Sequence, residues 1–151
     1  MSRTADGTTV GASTPAPATI DASGYAALTF VDVGEVVDVG EIGQNYADVT
    51  SYNLSGREVT HFKGSTDWSE TPITVDNDQT DAGQIILRVH HNGASVDAPV
   101  SIKVLHQNGD IEYFQALVYT FTSSSLAQDT IYRANVSMRI VIDTYVFVPA
   151  P

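Results

Sequence analysis

Apolar and polar positions alternate most regularly near the C-terminus. Ala134, Val136, Met138, Ile140, Ile142, Thr144 and Val146 interleave with Asn135, Ser137, Arg139, Val141, Asp143 and Tyr145. Only the threonine is polar in the first set, whereas four of the six residues in the second set are polar. Period-two alternation defines a strand with one buried and one wet face. As one strand, the stretch from Ala134 to Val146 would run roughly 43 Å at ~3.3 Å per residue. An ordinary strand has only about five or six residues. A small domain rarely needs such a strand to close its own core, whereas a sheet shared between subunits does. Assembly rather than catalysis is therefore the first expectation.

Residues 1–24 are rich in Ser, Thr, Ala, Gly and Pro and are expected to form a flexible N-terminal arm. Tyr25 to Val33 reads as a strand, and Gly34, Gly40 and Gly43 punctuate short β pieces after it. Gln44 to Gly56 is polar around isolated Tyr46, Val49, Tyr52 and Leu54, which suits a long loop or a loose hairpin. Arg57 to Lys63 alternates again, and Ser69 to Val75 forms the strand before the helix. Ala82, Ile85, Ile86 and Val89 follow helical spacing and predict a helix over Gln79 to His91 that packs this stripe on a sheet. Asp78 or Thr80 suits the cap, Asp81 the first turn, and Gly93 the C-terminal stop.

Asn108-Gly109 between Val100–Leu105 and Ile111–Thr122 is a strong hairpin signal. The second of these strands is apolar on both faces in places, as expected of a central strand. The fold class is therefore mainly β: an antiparallel β-sandwich or barrel with one packed α-helix. A single domain is expected over residues 25–148, with 149–151 as a C-terminal tail.

Composition sharpens this picture. The 151 residues fit one domain, and the 18 carboxylates against 7 Lys plus Arg give a formal net charge of −11. Proteins that grip nucleic acid carry the opposite sign, because their affinity comes from displacing phosphate counterions. Charged residues make up only 17%, against about 25% in an average domain, leaving neutral surface for subunit contact. The absence of cysteine excludes disulfides and thiolate metal sites. The polar start shows no secretory signal, and no apolar run is long enough to span a bilayer. Folding in the cytoplasm is the expectation.

Candidate chemistry is sparse. Asp76, Asp78 and Thr80 imitate the first ligands of a calcium loop, but Asp81 and Leu87 stand where such a loop needs Gly and Glu. Helix capping explains these residues better. Adjacent His90 and His91 point in different directions, and His61 and His106 lie elsewhere, so no metal site is expected. The serines sit in no nucleophile elbow, and no glycine-rich phosphate loop leads into the helix. Neither a catalytic residue nor a cofactor is assigned. A small β-sandwich carbohydrate-binding or adhesion module is the rival class, with Trp68, Tyr46 and Tyr52 as its aromatic candidates, and a hydrolase comes third.

The order of several short motifs points further. Gly34-Glu35-Val36 through Gly40-Glu41-Ile42-Gly43 is followed by Tyr46, Val49-Thr50 and Lys63-Gly64-Ser65. Asp81-Ala82-Gly83-Gln84, Ser101-Ile102-Lys103-Val104 and Tyr113-Phe114-Gln115-Ala116-Leu117-Val118 come next. In this order and spacing the chain resembles the major tail tube proteins of long, flexible-tailed bacteriophages. A C-terminal immunoglobulin-like domain found in some members is not seen.

The resemblance implies a virion protein that forms stacked hexameric rings with a continuous inner β-barrel. Its implied partners are other copies of itself, a tape-measure protein, and tail terminator and tail-tip proteins. Double-stranded DNA would pass through without specific binding, and no membrane is involved. The virion tail, assembled in the host bacterial cytoplasm, is the implied location. A tube protein of a type VI-like secretion system or phage-derived particle is the nearest alternative. Within this frame the ring-stacking loop is assigned to Glu41, Tyr46, Val49, Tyr52 and Leu54. The inter-subunit strand is assigned to Val136, Met138, Ile140 and Ile142. Glu35, Asp38 and Asp143, with Glu41, are the acidic candidates for the lumen. Two such charges ~10 Å apart in water interact by only ~0.4 kcal/mol, so an acidic wall would act through repetition along a tube.

Overall fold

In a computed structural model, residues 6–93, 96–124 and 127–151 are described. The elements are β1 (Thr9–Ser13), α1 (Ala22–Ala26), β2 (Val31–Asp32), β3 (Val36–Val39), β4 (Gln44–Asn53), β5 (Glu58–Trp68), β6 (Glu70–Asp76), α2 (Ala82–Asn92), β7 (Val100–Leu105), β8 (Ile111–Ser124), β9 (Arg133–Ile140) and β10 (Val146–Val148). The main antiparallel sheet runs β2-β1-β7-β8-β9-β6-β3, with β10 also on β8, and β4 and β5 form a separate pair. The outermost strands, β2 and β3, are consecutive in the chain. The backbone of Val33 donates to Val10 O at 2.8 Å, and Glu35 O accepts from Asp76 N at 2.8 Å. One segment thus binds both ends of the sheet and closes it into a barrel. Alternate residues of every long strand of that sheet point inward, and Val10, Ile73, Val75, Ile102, Phe114, Val136 and Met138 are buried in one core.

Two motifs far apart in sequence meet where α2 lies against the β2–β3 corner. Asp81 caps the helix by accepting from Gln84 N at 3.0 Å, and the same carboxylate oxygen accepts from Gly34 N at 3.0 Å. The buried Gln84 amide donates to Gly34 O at 3.1 Å and Asp76 O at 3.0 Å, while its oxygen accepts from Asp78 N at 3.1 Å. A Cβ on Gly83 would lie 2.5 Å from both Asp32 O and Val33 Cα. Backbone atoms cannot swing aside, so Gly83→Val is expected to lever the helix off the barrel. The expected loss is about 1–3 kcal/mol, as for other overpacked sites, read as a lower urea midpoint.

This corner also sets the helix rotation. The buried residues are Gly83, Gln84, Leu87 and His90, whereas Ala82, Ile85 and Val89 face outward. The expected stripe is therefore turned by one residue, ~100°. A bonded glutamine and a close-approach glycine hold the inner face that an apolar count would have given to Ile85. Arg88 stacks over the Phe121 ring at 4.8 Å and donates to Asn77 Oδ1 at 2.7 Å.

The N-terminal expectation also changes. Residues 1–5 lie outside the described residues, but Val10 and Ala12 are core residues, and β1 pairs with β7 along its whole length. Residues 9–13 therefore belong to the barrel rather than to a flexible arm, because their small and apolar side chains complete its inner face. Tyr25 starts no strand; it lies in α1, capped by Asp21, whose carboxylate accepts from Gly24 N at 2.7 Å. Its ring stacks on Tyr113 at 5.1 Å and its hydroxyl donates to Thr144 O at 2.7 Å. Burial pushes the Tyr25 hydroxyl pKa up to about 12.

The long C-terminal strand is two strands on one neighbour. Ile140 pairs with Ala116 and Val146 with Tyr113, so six residues on one side advance past only three on β8. The surplus forms a bulged turn. Asp143 takes a left-handed φ of 63°, and Thr144 Oγ1 donates to Val141 O at 2.6 Å while accepting from Gln115 N at 3.2 Å. The threonine hydroxyl replaces a ladder partner, and it returns Thr144 to the buried side. Alternation therefore continues through a break that it cannot reveal.

Candidate assembly surfaces

The segment between β3 and β6 is a hairpin standing away from the barrel. Gln44 opposes Trp68 at its root and Asn53 opposes Glu58 near its tip, with one bulge between Tyr46 and Asp48. All ten β4 residues are exposed, and β5 is exposed except at Gly64 and Trp68. One face carries the Tyr52–Val59 pair and the other carries Val49–Phe62. Tyr52 is 76% exposed, Leu54 100% and Phe62 56%. Polar cross-strand contacts hold the register: His61 Nδ1 lies 3.0 Å from an Asp48 carboxylate oxygen, and Lys63 sits 4.7 Å over the Tyr46 ring. A lone two-stranded hairpin is marginal in water. One that is apolar on both faces needs cover on both.

The ring-stacking candidates Tyr46, Val49, Tyr52 and Leu54 all lie on this hairpin, and Glu41 is exposed just before its root. The hairpin alternative, not the loop, describes the segment. Val59, Phe62 and Arg57 belong to the same surface. They were readable only as the alternation of Arg57 to Lys63, without a sign that both faces would be open.

The candidates for the inter-subunit strand need correction. Val136, Met138 and Ile140 point into the chain's own core, and β9 has β6 on one side and β8 on the other. Its backbone groups are spent on internal ladders, so it offers no free edge. Ile142 is not on the strand at all; it is 62% exposed in the bulged turn.

The acidic candidates are exposed but do not share one strand. Glu35 occupies the β2–β3 corner at φ 61°, Asp38 lies on β3, and Asp143 sits in the turn between β9 and β10. Asp38 joins Asp6, Val37, Ile42 and Glu112 around a cleft of about 460 Å³ at the hairpin root. Here Glu112 is 2.9 Å from His106 Nε2 and accepts from the Tyr145 hydroxyl at 2.5 Å. Burial, then the Glu112 carboxylate, raises the Tyr145 hydroxyl pKa well above that of an ordinary phenol.

Trp68 packs on Tyr145 at 5.2 Å and fixes the hairpin root to the bulged turn. It is half-buried there rather than presented as an open platform for a sugar. Among the described residues no group of three or more His, Asp or Glu side chains is arranged to hold a metal ion. His90 is buried, with Nδ1 bonded to Ala98 O at 2.9 Å.

No protein-family model matches the chain, and no curated protein does. Solved structures do. The SPP1 tail tube, determined by solid-state NMR and cryo-electron microscopy, aligns with a TM-score of 0.64 at 10% identity, covering 91% of this chain and 75% of that one. A chain from the tail of an empty gene transfer agent particle, refined with C6 symmetry, gives 0.59 at 13% identity over 80% and 87%. A chain of the sheath/tube terminator of the PVC extracellular contractile injection system gives 0.63 at 8% identity over 99% and 98%. The chain has the tail tube fold.

Proposed function

We propose that this chain is a structural virion protein that assembles as stacked hexameric rings into a bacteriophage tail tube. The tube conducts double-stranded DNA during ejection, and catalysis plays no part in the role. The single observation that carries this reading is the protruding hairpin, apolar on both faces and without a cover among the described residues. A tail tube fold with such an arm suits a subunit that completes itself only against other copies. The net charge of −11 suits a wall past which DNA slides without adhering. The tape-measure protein would fill the tube during assembly, with terminator and tip proteins at its ends. The virion tail is the proposed location, after assembly in the host cytoplasm. The injection-system likeness supports the same tube role in a contractile or phage-derived particle.

Negative-stain electron microscopy of the purified protein at increasing concentration, with its mass in solution, tests this proposal. Six-fold rings or hollow tubes are the expected result. A monomer at every concentration, together with glycan binding lost on Trp68→Ala, would replace it with the adhesion-module reading.

A further inference from the structure

The hairpin tip carries a cation without a partner. Lys63 and Lys103 lie over aromatic rings, Arg88 bonds Asn77, Arg133 pairs with Asp76, and Arg139 reaches Asp67 and the Tyr119 ring. Among the lysines and arginines of the described residues, Arg57 alone has no such contact. It stands next to the tip turn at φ 54°, where its backbone N–H donates to Asn53 O at 3.2 Å. Asn53 Oδ1 in turn accepts from Ser55 N at 3.1 Å and from the Ser55 hydroxyl at 2.8 Å. The turn is internally bonded, so it presents Leu54 and Arg57 in a fixed relation. In a chain of net charge −11, a bare cation beside a fully exposed leucine calls for an apolar seat with a carboxylate at its rim.

The cleft at the hairpin root has that form. Its lining includes the apolar Val36, Val37, Val39, Ile42 and Val104, and Val37 is 47% exposed. Of its carboxylates, Glu112 is held by His106 and Tyr145, whereas the Asp38 carboxylate is exposed and makes no hydrogen bond or ion pair among the described residues. Tip and cleft lie at opposite ends of one arm. At ~3.4 Å per residue, β4 alone separates them by about 34 Å, so a tip cannot reach the cleft of its own chain.

We infer that the hairpin tip of one copy seats in the root cleft of the next, with Leu54 on the lining around Val37 and Arg57 against Asp38. This rests on the tube reading and names the contact that would stack its rings. Different surfaces meet at each step, so the contact is head-to-tail and repeats without limit unless rotation closes it. The salt bridge would add register to the apolar seat.

The absence of native cysteine makes cross-linking unambiguous. Chains carrying Leu54→Cys and Val37→Cys are mixed, assembled and oxidised; the mixed disulfide is expected, and the doubly substituted chain should give a ladder of multimers. In parallel, Arg57→Glu should raise the concentration needed for assembly about tenfold or more, with an unchanged thermal midpoint because the side chain is exposed. Arg57→Glu combined with Asp38→Arg should restore assembly. Wild-type tubes in which no mixed disulfide forms and Arg57→Glu has no effect would overturn the seat alone. Wild-type protein that stays monomeric at every concentration and binds glycan through Trp68 would overturn the tube reading beneath it.

Discussion

Replacing residues 45–67 by an Asn-Gly turn is expected to leave a folded monomer that forms neither rings nor tubes. Gln44 and Trp68 oppose each other directly, so a two-residue turn joins them in register. The hairpin strands pack on one another and contribute no buried residue to the barrel core, while the Trp68–Tyr145 contact stays in place. The urea midpoint should therefore move little, by the equivalent of about 0.5 kcal/mol. Assembly has no such reserve. Tyr46, Val49, Tyr52, Leu54, Val59 and Phe62 are all removed, and each would contribute ~1.5–3 kcal/mol if fully buried against a neighbour. Sedimentation and negative-stain microscopy of this variant beside the intact chain would separate the two effects. Tubes that persist would mean the hairpin is ornamental.

The sequence disclosed some features because their signals were local. The Asn108-Gly109 hairpin appears as expected, with His106 N donating to Asp110 O at 2.9 Å and Gly109 at φ 97°. The central position of β8 followed from its two apolar faces, and Tyr113, Phe114, Gln115 and Ala116 are all buried. The periodic pattern misleads where contacts between distant residues outweigh it. The helix is turned because Gly83 and Gln84 answer to Asp32 and Gly34, residues that no window around the helix contains. Residues 9–13 looked like linker because Gly, Ala, Ser and Thr suit both a loose arm and a close-packed strand. Only the pairing of β1 with β7 distinguishes the two.

The candidate surfaces divided in the same way. Exposed Tyr52 and Leu54 were visible as apolar residues in a polar stretch, and the hairpin presents them outward. The partner strand's Val59 and Phe62 fell into an alternation that reads like any half-buried strand. Nothing in that pattern says that a two-stranded sheet has no core beneath it. Glu35 and Asp143 share a left-handed backbone conformation, at φ 61° and 63°. Their places at a corner and in a bulge could not be read from strand parity, which counts every residue as extended.

The pair Ile140→Asp and Ile142→Asp separates the barrel core from the bulged turn most sharply. Ile140 is 6% exposed beside the core of the sheet, and Ile142, two residues on, is 62% exposed. On one unbroken strand both would share a face and both substitutions would be ruinous. In the bulged arrangement Ile140→Asp buries an ionised carboxylate. The neighbouring Arg139 is partnered by Asp67 at 4.0 Å and lies over the Tyr119 ring, on the opposite face. An uncompensated buried charge costs about 3–5 kcal/mol, a large share of the ~5–15 kcal/mol by which a typical domain is stable. The cavity left by the isoleucine adds to that cost. Loss of a cooperative urea transition, or insolubility, is the expected outcome for Ile140→Asp. For Ile142→Asp the midpoint should hold to within about 0.5 kcal/mol, as at other exposed sites. Equal damage from both would restore the continuous strand. The expected contrast would show that β9 serves this chain's own core and ends before Ile142.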